Sequence, residues 1–349
     1  MKLLKSQIII GVTSLSMVFV GSCSPETDTR KSLTLLAYDS FTVPEDAFTA
    51  FTAETGFEVD VALGGDAGEL VAKVALTSGN PEGDVLWGVD NTLLTRLVEA
   101  EAFDPYQSQV APIDASLIES GQGLVTPVDF GFVCVNYDVA AFDALGLEPP
   151  LNLEDLARPD YRDMLVVPDA ATSSPGFAFV LATVSAFPDT WTEYWKKLLD
   201  NNVAIAGGWT DAYYTQFTRH GGDRPLVVSY STSPPAEVIF SDPPLASDAP
   251  APTGVIEDTC FEQIEFAGVL RGSDNSDAAR ALVDFLVSRE FQELLPENLF
   301  VYPANQDAAL PESFVRHAEP VSEPWTLSSE EIARRRIEIL DEWSLLVTR

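Results

Sequence analysis

Basic residues, histidine and cysteine are all scarce in this chain. Its 349 residues carry 20 lysines and arginines against 54 aspartates and glutamates, a formal net charge of −34, with 2 histidines and 3 cysteines. A surface this acidic repels nucleic acid and anionic lipid headgroups and draws cations, so no nucleic-acid partner is expected. It also suits an exported, salt-tolerant protein, so net charge alone identifies no ligand. His220 and His317 stand in no motif and read as surface residues, which leaves catalytic triads and most transition-metal sites little to work with. No zinc spacing, nucleophile elbow or phosphate-binding glycine-rich loop is present. Neither enzymatic activity nor a cofactor or metal is expected.

Lys2 and Lys5 precede "SQIIIGVTSLSMVFVGS", uncharged from Ser6 to Ser22, and then comes Cys23. A basic start, a short apolar stretch and small residues make 1–22 a signal peptide, too short and without the stop-transfer pattern of a membrane span. "VGSC" (Val20–Cys23) resembles a bacterial lipobox, whose cysteine is lipidated; an ordinary signal peptide cleaved nearby is the alternative. Residues 23–31 are polar and read as a tether. The expected location is periplasmic, or the extracellular face of the cell membrane, with a lipid anchor at Cys23. Cys134 and Cys260 lie in strand-like runs, where an oxidising compartment permits a disulfide and burial as free thiols is equally open.

At 46% hydrophobic residues the remainder is ample for a sizeable core. "SLTLLAYD" (Ser32–Asp39), "FEVDVALGG" and "DVLWGVD" (Asp84–Asp90) read as strands. They alternate with helices at "PEDAFTAFTAETG" (Pro44–Gly56), "DAGELVAKVALTSG" with Asp66 as N-cap, and "NTLLTRLVEAEAF". This rhythm predicts an α/β fold with a parallel sheet. "WTEYWKKLLDN", "SDAARALVDFLVSREFQELL" and "SSEEIARRRIEILDEWSLLV" read as amphipathic helices, the last with capping-box spacing between Ser328 and Glu331.

Two stretches share one pattern. "VPDAATSSPGFAFVLAT" (Val167–Thr183) and "VVSYSTSPPAEVIF" (Val227–Phe240) each pass from an apolar run through a hydroxyl cluster to proline and a second apolar run. A hydroxyl at the N-cap with proline at the first helical position is an ordinary helix start. A helix start also leaves N–H groups free for a polar ligand. In an open α/β sheet ligands bind beyond the carboxyl ends of the strands. "YDSF" (Tyr38–Phe41), "GGDAGE" (Gly64–Glu69) and "GVDNTLL" (Gly88–Leu94) occupy that same position. Tyr38, Trp209, Tyr230 and Phe300 sit in loop-like contexts, and with Asp39, Asp66, Asp90 and Asp129 they form what a flat organic cation requires.

With "AYDSF" (Ala37–Phe41), "GVDNTLL", "VDFGFV" (Val128–Val133), "ATSSPG" (Ala171–Gly176), "GGWTDAY" (Gly207–Tyr213), "SYSTSP" (Ser229–Pro234) and "VYPA" (Val301–Ala304) in this order, the chain resembles the thiamine-binding proteins of bacterial ABC importers, a branch of the extracytoplasmic solute-binding proteins. The resemblance implies a type II periplasmic-binding-protein fold: 32–127 plus 266–349 as one lobe, 128–265 as the other, and the ligand in the interlobe cleft. It places ligand contacts at Asp66, Ala67, Ser173, Ser174, Trp209, Tyr230, Ser231, Thr232 and Ser233, with Tyr38, Asp39, Ser40 and Phe300 lining the same cleft. The implied ligand is thiamine, thiamine monophosphate or thiamine diphosphate, and the implied partner an ABC permease. Ala67 stands where relatives carry glycine, Ala236 where they carry an aromatic, and Phe300 where they carry tryptophan. The alternatives are a ferric-ion-binding protein using Tyr213 and Tyr214, a polyamine-binding protein, and an exported hydrolase with paired carboxylates.

Overall fold

The computed structural model describes residues 31–348 apart from 244, 247 and 319. The signal peptide, the lipidation expected at Cys23 and most of the tether lie outside the described residues.

Among the described residues ten strands form one sheet: β1 Lys31–Ala37, β2 Phe57–Leu63, β3 Val85–Asp90, β4 Phe103–Asp104, β5 Thr126–Asp138, β6 Leu165–Pro168, β7 Ala204–Ala206, β8 Leu226–Tyr230, β9 Thr253–Leu270 and β10 Tyr302–Pro303. The order is β2-β1-β3-β9-β5-β8-β6-β7, with β4 on β9 and β10 on β5. The parallel arrangement predicted from sequence holds at both ends, for β1 with β2 and β3 and for β6 with β7 and β8. Between them β9 and β5 run antiparallel to each other and to their outer neighbours, so the whole sheet is mixed. These two strands, of 13 and 18 residues, are long enough to pair with each other and with both end regions.

The first strands and helices follow the sequence closely. Asp66 has extended backbone angles and its Oδ1 accepts from Ala67 N at 2.6 Å, starting the helix Ala67–Leu76. The helix Thr49–Thr55 is shorter than its periodicity suggests and stops at Gly56, whose φ of 75° is the left-handed conformation glycine adopts without strain. "SDAARALVDFLVSREFQELL" is broken into Ser276–Leu286, Arg289–Gln292 and Leu295–Asn298. The break occurs where Ser288 turns extended and its hydroxyl caps Phe291 N at 3.3 Å, a local bond that competes with continuing the helix.

Five core clusters form around the sheet among the described residues, and two of them position the site. One gathers Leu33, Leu35, Val85, Trp87, Leu282 and Phe291 with neighbours on β1, β3 and the helix Ser276–Leu286. The other is built on the helix Ser174–Ala186, buried from Ser174 to Val184 and therefore apolar on every side. The closing helix Ser329–Val347 joins this second region. Ile332, Ile339 and Trp343 are buried there, with Trp343 edge-on to Trp195 at 5.7 Å. Cys134 and Cys260 form a disulfide between β5 and β9, resolving the choice that the sequence left open.

Candidate functional site

Strand ends and helix starts converge on one cavity of about 400 Å³, a size that suits a small organic ligand. Tyr38, Asp39 and Ser40 follow β1; Asp66 and Ala67 open the helix Ala67–Leu76; Ser174 opens the buried helix; Trp209 follows β7; Tyr230 ends β8 and Ser233 follows it; Phe300 precedes β10. All of these line the cavity. Ser173, Ser231 and Thr232 do not, although each lies beside a residue that does.

Trp209 is held from several directions. Its ring stacks on Tyr213 with centroids 5.2 Å apart and planes at 19°, and Tyr214 meets it edge-on at 5.6 Å. Trp209 Nε1 donates to Ser229 Oγ at 2.9 Å, and its backbone N–H donates to Asp66 Oδ2 at 3.0 Å. The chain then makes a π-helical turn over Ala212–Gln216, a rare form concentrated at functional sites. Tyr230 lies 6.3 Å from Trp209, at 62° to it.

The hydroxyl clusters are neither plain caps nor a free row of donors. Ser173 and Thr232 occupy N-cap positions but make no side-chain cap bond. The Ser174 hydroxyl instead donates to Asp90, and that of Thr232 to the carbonyl of Phe300. Ser233 Oγ bonds Ser229 Oγ at 2.9 Å and accepts from Tyr230 N at 3.3 Å. Ser231 Oγ is buried without a hydrogen-bond partner. Phe300 has φ 57°, an uncommon conformation for a bulky residue, and sits where relatives are expected to carry tryptophan. Phe240 packs edge-on against it at 5.5 Å, supplying a second ring one helical turn beyond the non-aromatic Ala236.

The cavity is acidic. Burial pushes the Asp66 carboxyl up, opposed by the N–H of Trp209, the Ser173 hydroxyl and the N–H of Ala67. Glu265 reaches the lining from the middle of β9 and accepts from Tyr38 Oη at 3.1 Å. Burial, and then the neighbouring charges of Asp129 and Asp90, push Glu265 well up. Tyr38 and Tyr230 are also raised well above 10.0, first by burial and then by these carboxylates, so both stay neutral donors. Gly88 makes the packing possible: its φ is 87°, and a Cβ there would fall 2.3 Å from the Tyr38 ring.

Several lining residues escaped the sequence reading. His220 was expected on the surface, but it lines the cavity and its Nε2 lies 2.8 Å from Glu237 Oε1. Glu237 also accepts from Tyr213 Oη at 2.8 Å and from Arg219 Nε at 2.8 Å. Burial raises the Glu237 carboxyl, but the bonds from His220, Tyr213 and Arg219 outweigh it and hold the group below its ordinary value. Tyr213 and Trp209, four residues apart, were the available signal, since that spacing puts two rings on one helical face. Glu265 gave none, because the partner that marks it, Tyr38, lies 227 residues away in sequence.

Comparison with known proteins gives relatives of matching length. A thiamine-binding periplasmic protein of Salmonella typhimurium is 28% identical over 94% of this chain and 97% of its own length. One of Brucella abortus is 25% identical over 98% and 99%. An iron uptake protein A1 of Synechocystis is 23% identical over 92% and 89%. Among solved structures, a periplasmic thiamin binding protein superposes with a TM-score of 0.79 at 25% identity, covering 93% of this chain and 98% of that one. A ferric binding protein of Campylobacter jejuni shares the fold, with a TM-score of 0.71. These neighbours have the type II periplasmic-binding-protein fold expected from the sequence. Residues 80–320 match the family described as bacterial extracellular solute-binding protein, and the chain belongs to that family.

Proposed function

We propose that this protein captures thiamine, or its mono- or diphosphate, outside the cell membrane and delivers it to an ABC permease. The carrying observation is the meeting of Trp209, Tyr230 and Tyr38 with Asp66 and Glu265 around one cavity. Thiamine offers an aminopyrimidine ring and a thiazolium with a fixed positive charge. Aromatic faces attract such a cation by roughly 0.5–2 kcal/mol each, and carboxylates balance its charge. The relatives of matching length named for thiamine support the same reading.

In this reading Trp209, braced by Tyr213, and Tyr230 hold the rings. A phosphate tail, when present, meets the first N–H groups of the helix Ser174–Ala186, whose opening residue Ser174 lines the cavity. The role is capture and release without turnover. Two lobes joined through β5 and β9 close over the ligand, with residues 32–127 and 266 onward facing 128–265; Asp66 to Trp209 N and Thr232 to the Phe300 carbonyl are bonds across that division. The closing helix touches both sides in this arrangement, with its buried Ile332, Ile339 and Trp343 in the core of the 128–265 side. Export by the signal peptide, with lipidation at Cys23, places the protein at the membrane that holds its permease.

The ferric alternative needs the hydroxyls of Tyr213 and Tyr214. Tyr213 donates its hydroxyl to Glu237 and lies flat against Trp209, which favours a role in ring stacking. Tryptophan fluorescence titrated with thiamine, thiamine monophosphate, thiamine diphosphate, spermidine and ferric citrate separates the readings. Saturable quenching by the thiamine series, lost in Trp209→Phe, is the expected result. A response to spermidine or ferric citrate alone would sink the ligand assignment.

A further inference from the structure

Three acidic side chains lie in one lateral row beneath the cavity. Asp90 of β3 pairs with Glu265 of β9, and Glu265 pairs with Asp129 of β5. Residues directly opposite on antiparallel strands share a face, with Cβ atoms roughly 4.5–5.5 Å apart, and like charges there repel. Their exposures are 0%, 4% and 0%. A β-bulge adjoins the row on each side, between Trp87 and Val89 and between Pro127 and Asp129, and bulges of this kind re-aim side chains.

The donors around the row are unequally shared. Asp90 accepts from Thr92 N at 3.0 Å, Thr92 Oγ1 at 2.7 Å, Leu93 N at 3.0 Å, Gln263 Nε2 at 2.8 Å and the Ser174 hydroxyl, which suits an ionised group. Glu265 has the Tyr38 hydroxyl. Both Asp129 oxygens are buried with no donor, and the neighbour able to bond with them is the Glu265 carboxyl. Two carboxylates are acceptors only, so that bond requires a proton between them.

The charges facing the row do not neutralise it. Asp66 and Asp39 on the cavity side are acidic, Tyr38 and Tyr230 are neutral, and Arg336 of the closing helix, seated over Phe177, bears on the already well-bonded Asp90. Among the described residues no group of three or more His, Cys, Asp and Glu side chains is placed to hold a metal ion, so a metal does not account for the row.

We propose that Glu265 and Asp129 share one proton in the ligand-free protein and release it to solvent when a fixed organic cation settles beside Tyr38 and Tyr230. The ligand's positive charge then takes the place of the proton's, and the pair makes the site selective for permanent cations over neutral compounds of the same shape. The inference rests on the organic-cation reading of the cavity. It predicts that affinity for such a cation rises with pH by up to about tenfold per unit, the limit set by release of one proton.

Isothermal titration calorimetry of the purified protein with thiamine, in buffers of different ionisation enthalpy, counts the protons released. Infrared spectroscopy of the same protein without ligand looks for the C=O stretch of a protonated carboxyl. The expected result is net release in the wild type, abolished in Asp129→Asn and in Glu265→Gln, together with a protonated-carboxyl band that thiamine removes and both variants lack. Binding of thiamine with no proton exchange overturns the proposal, as does absence of the band. If thiamine gives no heat at all, the ligand reading falls, and the infrared arm still decides whether the pair holds a proton.

Discussion

Trp209 shows how one side chain is prepared for work. A stack on Tyr213, a bond from its indole N–H to Ser229 and a backbone bond to Asp66 fix its plane before any ligand arrives. A ring so fixed loses little entropy on binding, which is why a rigid aromatic anchor is effective. Trp209→Ala or Tyr230→Ala should weaken thiamine binding by about 1–3 kcal/mol, on the scale of losing one base–aromatic stack. Calorimetry checks the affinity, and an unchanged melting curve shows that the fold survives. Trp209, Tyr230, Asp66 and Phe300 were legible in the sequence because each stands beside glycine, proline, aspartate or a hydroxyl cluster where a strand ends. Glu265 and Glu237 were not legible. Their burial depends on partners 227 residues away for Glu265, at Tyr38, and 24 residues away for Glu237, at Tyr213.

At the scale of elements, local signals located the first three strands and the longer helices, and tertiary contacts decided how they continue. The capping-box spacing at Ser328 is realised, with its hydroxyl accepting from Glu331 N at 3.2 Å. What that helix packs against could not be read, because its apolar stripe names no partner. Trp343 is 1% exposed against Trp195, so Trp343→Ala should cost about 3–5 kcal/mol of stability, measured by denaturant unfolding. β5 and β9 run side by side, and the Cys134–Cys260 disulfide ties them across a sequence separation of 126. Replacing both cysteines by alanine should lower the unfolding free energy by roughly 2–5 kcal/mol, since a closed loop that long strongly restricts the unfolded chain. An unchanged denaturation midpoint in the double variant would show that the strands need no such tie.

For the whole molecule, buried acids set the response to pH. Burial pushes Asp129 and Glu265 well up, so in the folded state this pair keeps a proton that the unfolded chain has lost. Stability contributed in this way is full below the unfolded carboxylate range and declines as pH rises towards the folded values. Each retained proton corresponds to about 1.4 kcal/mol per pH unit. Denaturant unfolding from mildly acidic to neutral pH should therefore show stability falling, more steeply in the wild type than in Asp129→Asn. The net charge of −34 acts in the same sense through self-repulsion, and added salt should screen that part.

The most direct test of the account is a crystal structure of the protein grown with thiamine. It predicts ligand density in the cavity, with a ring against Trp209 and Tyr230 and the thiazolium beside Glu265. Thiamine bound elsewhere, or a metal ion held by Tyr213 and Tyr214 in that cavity, would contradict it.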